Sequence, residues 1–230
     1  MKTTTKIALC LIIIISFFMS IYIINVVAKE EKEDTCKCKE EKYEYKKNEN
    51  IVFFGDSITE WYPLDVFFED APYVNSGVAG DTTKDLLENI ESRVYNYNPT
   101  KVFILIGTND YKENMTSKDI SNNIKKIVQE IKKNRSNAKI YVQSIYPINN
   151  SDDSKINKNN VEPRTNSEIS NTNKLIKELC NKEKVTYIDV YSELIADDGA
   201  LDLRYTKDGL HLNDLGYYVV TKKLISYIEE

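Results

Sequence analysis

Apolar and polar positions divide the chain into three stretches. Residues 7–28 are an almost unbroken run of Ile, Leu, Phe, Val and Met without a charged side chain. The run is apolar on every face and long enough to cross a bilayer as a helix. Residues 29–50 are dominated by Lys and Glu and offer almost nothing to bury, the pattern of a solvated stalk or charged helix. From residue 51 to the C-terminus at 230, short apolar runs alternate with longer segments of helical period. Residues 51–54, 73–75, 101–106, 139–145 and 185–189 predict strands, because β-branched and aromatic side chains fill them. Residues 82–95, 117–134, 167–183 and 214–228 predict helices. In the second of these, Ser117 is the expected N-cap and Ile120, Ile124, Ile127 and Ile131 form one stripe. Residues 149–166 break the rhythm with Ser, Asp, Asn and Lys. They predict a long surface loop near the active edge, able to contribute to substrate selection.

Regular β-α alternation argues for a parallel sheet with helices on both faces, since parallel neighbours require crossover connections. A single domain over 51–230 is large enough to bury a core. In such sheets ligands sit outside the carboxyl ends of the strands.

Composition changes this picture in three places. Asp and Glu outnumber Lys and Arg by 36 to 31 and the signs are interspersed, so no basic face is implied and nucleic acid is not an expected partner. The apolar N-terminal run exceeds the roughly 7–15 residues of a signal peptide. An uncleaved anchor is therefore expected over a cleaved signal, although Val26-Val27-Ala28 resembles a cleavage site. Lys2 and Lys6 precede the run while Lys29, Lys32, Lys37 and Lys39 follow it, a count that would hold the domain inside. Long domains translocate largely regardless of charge, so the expectation is a membrane-anchored extracellular domain, or a secreted one if the segment is removed. Cys10 lies inside the apolar run. Cys36 and Cys38 read as exposed thiols of the stalk, and Cys180 reads as core.

The chemistry gathers at the ends of the predicted strands. The first strand runs into Gly55-Asp56-Ser57, which puts a serine after a turn-forming glycine at the carboxyl edge. It is not a G-x-S-x-G elbow, because Thr59 stands where the second glycine would. The second strand leads into Ser76-Gly77-Val78-Ala79-Gly80-Asp81, the third into Gly107-Thr108-Asn109-Asp110. Glycine-freed N–H groups and an Asn amide are donors suited to a developing oxyanion. The single histidine of the chain lies in Asp208-Gly209-Leu210-His211, just before the last predicted helix. Serine needs an adjacent base to act as a nucleophile, and an imidazole held by a carboxylate supplies one.

These four blocks, in this order, resemble the SGNH, or GDSL, hydrolases, from residue 51 to about 218. The resemblance implies Ser57 as nucleophile, Asp208 and His211 as the D-x-x-H pair, and Ser57, Gly80 and Asn109 as the oxyanion hole. It departs from the namesake motif at Ile58, where the family has Leu. It further implies a flavodoxin-like three-layer α/β/α sandwich and no metal or other cofactor. The expected activity is serine-ester hydrolysis through an acyl-enzyme, acting on a small acyl ester, a lipid or an acylated cell-surface glycan. Two alternatives stay open: acyl transfer by the same Ser-His-Asp site, and a membrane-tethered binding module without turnover.

Overall fold

The computed structural model of the chain describes residues 49–68 and 71–230. The predicted membrane span, nearly all of the predicted stalk, and Cys10, Cys36 and Cys38 lie outside the described residues. Among those described, no helix is long and apolar enough to cross a membrane.

The elements follow one another as β1 (Ile51–Gly55), α1 (Ser57–Glu60), α2 (Leu64–Phe67), β2 (Tyr73–Gly77), α3 (Thr83–Glu88), α4 (Ile90–Arg93), β3 (Lys101–Leu105), α5 (Ser117–Asn134), β4 (Lys139–Gln143), α6 (Lys158–Val161), α7 (Asn166–Glu183), β5 (Thr186–Ile188), α8 (Tyr191–Leu194) and α9 (Asp214–Ile228). The strands form one parallel sheet in the order β2-β1-β3-β4-β5. That is the flavodoxin-like order, in which the chain reverses direction across the sheet between β1 and β3. Gly55 at the end of β1 lies level with Gly77 of β2 and Leu105 of β3, so the three following loops leave the sheet side by side.

Strand periodicity splits the core in two. Val52, Phe54, Val102, Ile104, Ile140 and Val142 point to one face, where they meet Leu86 and Ile90 of α3 and α4, Ile120, Ile124, Ile127 and Ile131 of α5, and Ile169 and Ile176 of α7. Ile51, Phe53, Phe103, Leu105 and Tyr141 point to the other, against Ile58 of α1, Leu64 of α2, Leu194 of α8, and Tyr217, Val220 and Leu224 of α9. Each of these strand residues is essentially inaccessible to solvent. Both faces must therefore be apolar at successive positions, which is why the strands read as continuous hydrophobic runs.

Four expectations need adjustment. The segment 82–95 is not one helix: α3 ends at Glu88, where the Asn89 amide donates to the Asp85 carbonyl (2.9 Å), and α4 restarts at Ile90. The cap of α5 is Thr116, not Ser117, since Thr116 Oγ1 accepts from Asp119 N–H and the Asp119 carboxylate answers to Thr116 N–H. The third and fourth strands end at Leu105 and Gln143, short of the predicted 106 and 145, and buried Ile106 and Ile145 continue into the edge loops. Residues 149–166 are not a surface loop throughout. They contain α6, and Asn149, Val161 and Arg164 are buried.

Candidate active site

Ser57 is the first residue of α1, directly beyond the end of β1. Asp56 caps the helix in an extended conformation, with Ile58 N–H donating to its Oδ1 (2.9 Å). Gly55 makes the turn possible, because a Cβ there would stand 2.2 Å from Thr59 Oγ1 and 2.3 Å from the Leu105 carbonyl oxygen. Asp56 Oδ2 is buried and has no hydrogen-bond partner among the described residues, and burial pushes this carboxyl up to about 7.

The loop after β2 is pinned from below. Arg93 pairs with Asp81, donates to the carbonyls of Gly55 (3.0 Å) and Ser76, and lies over the Phe54 ring. Val78 N–H reaches the Gly55 carbonyl (3.1 Å) and Ala79 N–H the Glu60 carboxylate (2.7 Å). Gly80 then adopts φ +89°, a conformation that favours glycine. Among the described residues the N–H groups of Gly80 and Ser57 have no hydrogen-bond partner.

The loop after β3 is latched to the one after β2. Asp110, fully buried, accepts from Thr83 N–H (3.0 Å) and from the Thr83 hydroxyl, and burial raises its carboxyl despite these bonds. Beside it, Asn109 donates one Nδ2–H to the Asp81 carbonyl (3.0 Å), while its Oδ1 accepts from Arg164 Nη2 (2.9 Å). The amide is thereby fixed in one orientation, with its second Nδ2–H left over.

The fourth loop is closed by an antiparallel bridge between Thr206 and Leu212. Asp208 Oδ1 accepts from the N–H groups of Leu210 (3.0 Å) and His211 (2.8 Å). Its Oδ2 meets His211 Nδ1 (2.7 Å) and accepts from Asn160 Nδ2 (2.7 Å). Burial works to raise the Asp208 carboxyl, but the His211 ring and the two backbone donors outweigh it and hold the group well below the usual carboxylate range. An ionised Asp208 requires the proton on Nδ1, leaving Nε2 as an acceptor. His211 Nε2 stands 3.1 Å from Ser57 Oγ. The Trp61 ring, about half exposed, covers one side of the imidazole with centroids 4.3 Å apart.

The structure thus joins Ser57, His211 and Asp208 in one hydrogen-bonded chain, and sets Ser57 N–H, Gly80 N–H and Asn109 Nδ2 in the loops of three adjacent strands. Such an arrangement can accept a hydroxyl proton and present donors to a new negative charge at the same edge. Among the described residues no group of His, Cys, Asp or Glu is arranged to hold a metal ion.

Sequence reasoning missed Arg93, Asn160 and Arg164. A signal was present in the chain's preference for Lys, 27 against four Arg. An arginine retained in so Lys-rich a chain marks a position needing a planar fork of donors, and Arg93 and Arg164 both use it on these loops.

A family model described as GDSL-like Lipase/Acylhydrolase family matches residues 53–219, a span that includes all four loops. Platelet-activating factor acetylhydrolase IB subunit alpha1 of Rattus norvegicus is 26% identical over 191 residues, covering 79% of this chain and 76% of the relative. A solved structure from Streptococcus pneumonia named for platelet activating factor is 32% identical with a TM-score of 0.73, covering 91% of this chain and 98% of that one. A GDSL-like lipase from Bacteroides thetaiotaomicron is 25% identical with a TM-score of 0.70, covering 88% and 96%.

Proposed function

The chain belongs to the GDSL-like lipase/acylhydrolase family and is an ester hydrolase, and from that premise we propose that it cleaves acyl esters through a covalent acyl-enzyme on Ser57. The observation that carries this reading is the chain Asp208–His211–Ser57, with contacts of 2.7 and 3.1 Å.

In the proposed cycle Ser57 Oγ attacks the ester carbonyl while its proton passes to His211 Nε2. Asp208 holds the ring in the accepting tautomer and stabilises the imidazolium. The carbonyl oxygen becomes an oxyanion facing Ser57 N–H, Gly80 N–H and the unused Nδ2–H of Asn109. Collapse of the tetrahedral species breaks the ester bond, and His211 returns its proton to the departing alcohol. Water then attacks the acyl-Ser57 ester with His211 again as base. The carboxylic acid leaves and the serine is restored.

The proposed substrates are small acyl esters, acylated cell-surface glycans or lipids. The acetylhydrolase relative supports a short acyl group. Half-exposed Trp61 beside His211 offers a flat apolar surface for the alcohol portion. The same reading assigns the apolar run 7–28 as a membrane anchor with the hydrolase domain outside the cell, or as a cleaved signal of a secreted enzyme.

The test is turnover of acetyl and long-chain nitrophenyl esters and acetylated sugars by the full chain and by Ser57→Ala, His211→Ala and the double variant. Nucleophile and base act as a unit, so each single change is expected to abolish nearly all turnover and the double to be no worse. Wild-type turnover in His211→Ala at neutral pH contradicts the proposal.

A further inference from the structure

Arg164 is 2% exposed, and its guanidinium is spent entirely on neutral acceptors. Nε donates to the Thr108 carbonyl (2.7 Å) and hydroxyl (2.8 Å), Nη1 to the carbonyls of Asn160 (2.7 Å) and Val161 (3.2 Å), and Nη2 to Asn109 Oδ1 (2.9 Å). Among the described residues it forms no ion pair. The carboxylate it feels through space is Asp56, which burial drives toward its neutral form. Burying a cation is costly. The fork of donors ties the two loops together as a single amide with its two N–H groups could not, and the charge it brings invites a role beyond that one.

Its position supplies one. Arg164 donates to the oxygen of the amide whose nitrogen carries the free N–H of the third loop. A cation at Oδ1 fixes which end of the amide faces Ser57 and draws electron density toward the oxygen, making the Nδ2–H a stronger donor. This effect is largest when a negative charge appears at the far end of the amide. We propose that Arg164 is a positioning residue that orients and polarises Asn109, adding a buried positive charge to oxyanion stabilisation one amide removed from the reacting carbonyl. The inference rests on the acyl-enzyme reading above and extends it to a residue that touches neither substrate nor nucleophile. The same segment reaches the other half of the site, because Asn160, whose carbonyl accepts from Arg164, donates through its side chain to Asp208 (2.7 Å).

A double-mutant cycle on the full chain with para-nitrophenyl acetate tests this, comparing wild type, Arg164→Gln, Asn109→Ala and the double variant. Loss of the charge is expected to lower kcat on the order of tenfold to a hundredfold with KM nearly unchanged. In the Asn109→Ala background the same change should cost less than about threefold, because its route to the oxyanion is already gone. Thermal melting confirms that each variant is folded. If Arg164→Gln does not accumulate folded, Arg164→Lys, which keeps the charge but not the fork, serves the same cycle and is expected to lose part of the activity. Equal losses with and without Asn109, a loss confined to KM, or no loss would each overturn the role of Arg164. Those outcomes leave the acyl-enzyme reading standing as long as Ser57→Ala and Asn109→Ala remain impaired. Wild-type kcat in Asn109→Ala would instead count against the oxyanion assignment on which the inference depends.

Discussion

In the proposed cycle the side chain of Asn109 offers one N–H to a charge that exists only while the acyl carbon is tetrahedral, so Asn109→Ala should lower kcat with little change in KM. The expected loss is on the order of a hundred- to a thousandfold, and steady-state kinetics separate it from weakened binding. Asp56 carries a prediction about stability instead. Its carboxyl ionises near 3.8 in the unfolded chain and is pushed up to about 7 by burial. The folded protein therefore keeps a proton that the unfolded chain has released between these values, and this site makes the fold less stable as pH rises through that window. Asp56→Asn retains an acceptor for Ile58 N–H and removes the effect. Its stability relative to wild type should rise by about 2–3 kcal/mol between pH 5 and pH 8, measured by denaturant unfolding, and a pH-independent difference would contradict it. At this scale the placement of the candidate residues Ser57, Gly80, Asn109, Asp208 and His211 in loops at the sheet edge was legible, because each lies in a short local motif. Arg164 was not, since its partner Asn109 lies 55 positions away and only the fold brings them together.

Long helices with apolar residues at helical spacing were readable end to end. The isoleucines of α5 fall at helical spacing and all are buried, and α9 spans the predicted residues 214–228. Their caps were less legible, because adjacent hydroxyl residues compete and only geometry chooses between them. Thr116→Ala should therefore cost about 1 kcal/mol while Ser117→Ala costs a few tenths at most. Chemical denaturation distinguishes the two, and the reverse order would contradict the Thr116–Asp119 capping box. The four-residue helices α2, α6 and α8 were invisible for a different reason. One turn carries no periodicity, and its stability comes from tertiary packing. For the same reason residues 149–166 read as a polar surface loop: their buried contacts are made by a few side chains, among them Val161 and Arg164.

At the level of the whole molecule, β-α alternation made a parallel sheet with two helical layers legible, since strands apolar on both faces must be covered twice. Strand order was not, because a parallel connection can step to either side; the observed order makes β1 and β3 neighbours and brings the Ser57 and Asn109 loops together. The proposed tether is tested at this scale. The full chain should fractionate with membranes and a chain lacking residues 1–28 should not, while native protein recovered as a soluble form starting at Lys29 would favour a cleaved signal. The central claim, a covalent acyl-enzyme on Ser57 activated by His211, is tested most directly by reacting the full chain with a fluorophosphonate and mapping the modified peptide. The account predicts a single phosphonyl group on Ser57, stoichiometric loss of esterase activity, and labelling slowed by on the order of a hundredfold or more in His211→Ala. A label on another residue, or full esterase turnover with Ser57 blocked, would contradict it.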